Sequence, residues 1–117
     1  MNEIIERMNV ADAGKPGPTG NVIVTRAHKD AVTLSWSPPL DVGKSQKLCK
    51  YYVDKLAASH LSWEPAATVA GTTTTATITK LDRRETYLFR LRAENAMGIG
   101  PAEELPYAIA TITAKRE

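Results

Sequence analysis

The stretch that decides the fold is "LDRRETYLFRLRAENAMGIGP", residues 81–101. Within it Tyr87, Phe89 and Leu91 alternate with Arg90, Arg92 and Glu94. Successive side chains on a strand point to opposite faces, so this ribbon is apolar on one side and charged on the other. The alternation stops at Asn95, and Gly98 and Gly100 follow, residues that turn a chain. Ahead of the ribbon, "DRRE" at 82–85 reads as a polar turn.

Moving outward, the same rhythm recurs. In "AVTLSW" Val32, Leu34 and Trp36 face one way, Thr33 and Ser35 the other. Pro38 and Pro39 then force a loop, since proline cannot sit in a central strand. "LCKYYVDKL" sets Cys49, Tyr51 and Val53 opposite Lys50, Tyr52 and Asp54. That phase points Cys49 inward, as an inert thiol more than a nucleophile. Pro65 marks "SWEPAATV" as an edge strand. Gly71 turns the chain, the threonine-rich "TTTTATITKL" suits a pleated surface, and "LPYAIATITA" is the last strand. With "NVIVTRA" this makes an all-β reading of seven short strands at regular spacing, an antiparallel sandwich with one wet face per sheet.

Residues 1–15 differ. Ile4, Ile5, Met8 and Ala11 fall at helical spacing, with Asn2 placed to cap and Gly14 to stop such a helix. A single short helix is marginal in water, so a linker or the tail of a preceding domain is the alternative. "GKPGPTG" has the composition of an extended linker. The division expected is 1–15 as linker or tail and 16–117 as one domain.

Several residues carry a family resemblance. Trp36 ends its strand before "SPP", Tyr51 lies in "YYVDK", Leu81 precedes Tyr87 by six residues, and "TYLFRLRAEN" runs into "AMGIG". Together they resemble a fibronectin type III domain, an immunoglobulin-like β-sandwich. The resemblance implies a core of Trp36, Tyr51, Leu81, Tyr87 and Phe89. It also implies a tyrosine corner, with the Tyr87 phenol bonded to backbone across the preceding turn. "RAEN", "MGIG" and the trailing "TAK" are similar to the repeats of giant muscle proteins of the titin, twitchin, myomesin and myosin-binding protein C type. The function this implies is a non-catalytic structural and protein-interaction module of a large intracellular muscle or cytoskeletal protein. A segment of a cell-surface adhesion or signalling receptor is the alternative.

Chemistry leaves little trace. The 117 residues carry a formal charge of +2, too small to argue for nucleic acid. No apolar run is long enough to span a membrane. The lone cysteine permits no internal disulfide and, with no Asn-x-Ser/Thr acceptor, leans towards a cytoplasmic setting over an extracellular one. His28 and His60 fall in different loops without ligand-spaced partners, so no metal or cofactor is expected. The Gly-x-Gly of "GIGP" lacks the helix that a phosphate loop requires. What remains is surface. Lys50, Tyr52, Asp54, Arg90, Arg92 and Glu94 form a candidate protein-contact face, whose plainer reading is a ladder of cross-strand charge pairs. Met97 and Ile99 form a candidate loop contact. The partners expected are neighbouring domains and sarcomeric or cytoskeletal proteins, with the isolated domain a monomer.

Overall fold

The alternating segments become strands because each can bury one face only against a second layer. A computed structural model describes residues 14–45 and 47–110. Residues 1–13 of the linker or helix expected at 1–15, and the C-terminal "TITAKRE", lie outside these residues.

Among the described residues nine strand segments follow in chain order: β1 Gly20–Ala27, β2 Val32–Ser37, β3 Leu48–Ala57, β4 Glu64–Ala70, β5 Thr75–Ile78, β6 Thr86–Asn95, β7 Gly98–Ile99, β8 Glu103–Glu104 and β9 Ile109–Ala110. One sheet runs β1-β2-β5. The other runs β4-β3-β6, and β7, β8 and β9 all pair with β6. These three pieces form one interrupted strand, broken around Pro101 and Pro106, so the architecture is a seven-position antiparallel sandwich. No helix occurs among the described residues.

The core is where the two inner faces meet. Val32, Leu34 and Trp36 of β2 and Ala76 and Ile78 of β5 face Tyr51 and Val53 of β3 and Tyr87, Phe89, Leu91 and Ala93 of β6. Trp36 and Tyr51 meet edge to face, ring centroids 5.4 Å apart. Cutting Trp36 to alanine would cost ~3–5 kcal/mol, the usual toll for a large buried aromatic. Leu81 is buried beneath the turn before β6, and the Tyr87 hydroxyl accepts the Asp82 N–H at 2.9 Å.

Cys49 does not follow its expected phase: it is exposed. The register steps from Leu48↔Asn95 to Lys50↔Glu94, so Cys49 is the extra residue of a β-bulge and the alternation restarts beyond it.

The supposed linker is packed. Pro16 is fully buried, and Gly14–Gly17 lie between the 41–44 loop and the β6–β7 hairpin. Lys44 N–H donates to the Gly14 carbonyl at 3.1 Å, and Gly17 N–H to the Asp41 carbonyl at 2.8 Å. Asn95 joins all three segments. Its amide nitrogen donates to the Gly14 carbonyl at 2.6 Å and the Val42 carbonyl at 3.0 Å. Its oxygen accepts the N–H groups of Met97 at 2.8 Å and Gly98 at 3.2 Å. Gly43, at φ +87°, leaves no room for a Cβ beside the Asn95 amide. Gly100 is equally obligatory, because a Cβ there would strike the Pro16 carbonyl.

Candidate functional site

The solvent side of β3 and β6 carries the candidate face. Lys50 pairs with Glu94, Tyr52 with Arg92 and Asp54 with Arg90, each directly across the ladder. Opposed residues of this kind stand close enough for their side chains to meet.

Asp54 is the centre. The alternation placed it with the solvent-facing residues, but it is 5% exposed. Its strand phase is as expected; two guanidinium groups cover it. Arg90 Nε donates to Oδ2 at 2.9 Å. Arg92 Nε stands 3.0 Å from the same oxygen, off the hydrogen-bond line, while its terminal nitrogen reaches Oδ1 at 3.5 Å. Each guanidinium also covers an aromatic ring: Arg92 over Tyr52 at 5.7 Å and Arg90 over Trp63 at 4.5 Å. Tyr52 donates its hydroxyl to Glu94 Oε1 at 2.8 Å, and this bond to a carboxylate holds the phenol above its ordinary pKa. On the far side of β6, Glu104 pairs with Arg90.

The order across the face is therefore Trp63, Arg90, Asp54, Arg92, Tyr52, Glu94. Both Asp54 oxygens are engaged. Such a surface presents ring faces and guanidinium edges, the groups that dominate protein–protein hot spots. The histidines sit elsewhere: His28 follows β1, and His60, in the β3–β4 turn, lies 3.9 Å from Glu64. Among the described residues no cluster of three or more potential metal ligands occurs. No helix among them is long and apolar enough to cross a membrane.

A sequence-family model described as "Fibronectin type III domain" matches residues 15–108. The chain belongs to the fibronectin type III family. This fibronectin type III domain is 30% identical over 94 residues to striated-muscle M-protein of Gallus gallus, covering 80% of the chain and 6% of M-protein. It is 34% identical over 96 residues to contactin-1a of Danio rerio, covering 78% of the chain and 9% of contactin-1a. The chain thus spans less than a tenth of either relative. Among solved structures it is similar to the twitchin kinase region of C. elegans, with TM-score 0.77 and 30% identity over 88% of this chain and 18% of that one. Fibronectin type III domains are structural and interaction modules, generally non-catalytic, found in muscle and cell-surface proteins alike.

Trp36, Tyr51, Leu81, Tyr87 and Phe89 are all buried. The loop pair divides. Met97 is 55% exposed yet lies against Gly14, so part of its side chain serves its own domain. Ile99 pairs with Glu94 at the end of the ladder. Two residues of consequence escaped the sequence reading. Trp63, read as part of the edge strand "SWEPAATV", stands just ahead of β4 and packs on Arg90, a contact no local pattern marks. Asn95 does carry a signal: it continues the inward phase of Tyr87, Phe89, Leu91 and Ala93. A polar side chain driven inward needs partners, and a carboxamide has two donors and an acceptor to offer.

Proposed function

We propose that this fibronectin type III domain is a structural and protein-interaction module of a large multidomain intracellular protein of muscle or the cytoskeleton. Its neighbours in the chain and sarcomeric or cytoskeletal proteins are its partners. One observation carries the choice of compartment: Cys49 is a free, exposed thiol on an otherwise stable sandwich. Such a thiol oxidises or cross-links outside the cell and persists where glutathione keeps it reduced. The similarity to M-protein and to the twitchin region supports the same reading. The similarity to contactin-1a favours the second reading, a segment of a cell-surface protein.

The face of Lys50, Tyr52, Asp54, Arg90, Arg92 and Glu94 is the proposed contact surface, with Met97 and Ile99 touching an adjoining domain. An antibody raised against this domain tests the compartment. Labelling in register with the sarcomere, seen only after permeabilisation, is expected; labelling of intact cells from outside overturns the proposal. A triple Tyr52→Ala, Arg90→Ala, Arg92→Ala variant tests the face by pull-down from muscle extract. Equal recovery of every partner removes that surface from the proposal.

A further inference from the structure

Of the four sheet edges, three are blunted. β1 is broken by register shifts between Gly20 and Ile23 and between Val24 and Arg26. β4 contains Pro65 and a shift opposite Val53 and Asp54. Among the described residues the β6 side is closed by the three short pieces β7, β8 and β9. Bulges, prolines and interruptions are how sheets avoid pairing with other chains. The edge of β5 has none of these. It pairs with β2 through four successive residues without a shift, and "TTTTATIT", residues 72–79, contains no charge, proline or glycine.

The direction of its backbone groups follows from one bond. Trp36 N–H donates to the Thr74 carbonyl. In an antiparallel ladder the groups alternate, so residues 74, 76 and 78 bond to β2, while Thr75, Thr77 and Thr79 turn theirs outward. All three threonines are exposed.

We propose that the β5 edge pairs, antiparallel and isologously, with β5 of a second copy, with Thr77 opposite the partner's Thr77. This goes beyond the role proposed above. The chemistry of the strand selects that register. Thr75 then meets the partner's Thr79 on the outer face, while Ala76 and Ile78 stay buried in their own core. Hydroxyl faces hydroxyl, and no like charges meet. The outer-face pairing extends a contact the domain already makes, since Thr33 and Thr77 share a hydrogen bond at 2.9 Å. So short a strand buries far less than the ~1,000 Å² of a stable interface, so the association is in about the millimolar range and the dilute domain is a monomer.

The test uses the whole chain with reductant present, so that Cys49 cannot bridge copies. Amide NMR spectra recorded from low micromolar to millimolar concentration should show shifts centred on Thr75, Thr77 and Thr79. Thr77→Lys sets like charges across the two-fold axis and should weaken association at least tenfold, as should Thr77→Glu. Both side chains point to solvent, and the native spectrum of the remaining core reports that each variant is folded. An equimolar mixture of the two should associate more tightly than either alone. A wild-type spectrum independent of concentration, shifts centred on β1 or β4, or a mixture no tighter than its components would overturn the proposal.

Discussion

Tyr87 does two jobs with one side chain. Its ring is buried beside Phe89, and its hydroxyl holds the turn that leads into β6 by accepting the Asp82 N–H. A tyrosine corner can be read from the spacing of Leu81 and Tyr87, but the sequence does not reveal which backbone group it serves. The structure shows that it is the Asp82 N–H, so losing the hydroxyl leaves a donor without its partner. Tyr87→Phe should therefore cost about 1 kcal/mol, rising to ~3 kcal/mol if the Asp82 N–H finds no water. Urea unfolding with an unchanged m-value would measure it. Tyr51 is held differently. Burial pushes its phenol above the usual pKa. For an acid whose folded pKa is raised, the contribution to stability is complete below the unfolded value and is lost as pH rises through the folded one. The domain should lose stability above pH ~10, the ordinary tyrosine value. Absorbance at 295 nm should then show a tyrosine that ionises only as the fold opens, and free titration of every tyrosine in the native state would contradict the assignment.

At the scale of elements, the β3–β6 pair explains both what the sequence shows and what it hides. In β2, β5 and β6 inside and outside alternate without interruption, which is why Trp36, Leu34, Phe89 and Leu91 could be placed from period alone. β3 carries a register shift against each neighbour. A bulge is a property of two strands, so no single run of letters reports it, and Cys49 came out on the wrong side. The candidate face was legible as a row because Tyr52, Asp54, Arg90 and Arg92 keep phase from Lys50 onward. Its energetics were not, because the depth of Asp54 depends on two long side chains folding across it and on Trp63 arriving from a loop. A ladder of exposed pairs would contribute only tenths of a kcal/mol per pair. A carboxylate shared by two guanidinium groups and shielded from water is worth more. Removing one partner of a fully buried pair costs ~3–5 kcal/mol. Arg90 and Arg92 keep side-chain exposures of 25% and 31% and can rehydrate, so Asp54→Ala should cost about 1–3 kcal/mol. Chemical denaturation checks the figure. A loss within a few tenths of a kcal/mol would return the ladder to an ordinary solvated surface.

For the whole molecule, the question is where the domain begins. Composition alone makes "GKPGPTG" a tether, since glycine and proline disfavour regular structure. Its glycines and its buried proline instead let neighbours press close: the Met97 side chain on Gly14, Gly100 on the Pro16 carbonyl, and Gly43 of the facing loop on the Gly14 carbonyl. Asn95 closes this joint from within, 2% exposed and bonded to four backbone groups. A chain cut before Pro16 loses the Gly14 carbonyl that Asn95 and Lys44 share, although the sandwich core stays intact. It should still unfold in one cooperative transition, as domains of this size do. It should be less stable than a chain that includes Gly14 by about 1–3 kcal/mol, the cost of buried donors left unpaired. Asn95→Ala should cost at least as much in the longer chain. The two losses share one hydrogen bond, so they should not add: cut and substitution together should destabilise by less than their sum, with an interaction of about 0.5–3 kcal/mol. Denaturant midpoints of the four chains measure this cycle. Simple additivity would mean that Asn95 serves only its own hairpin and the 41–44 loop, leaving the residues ahead of Pro16 the tether their composition describes.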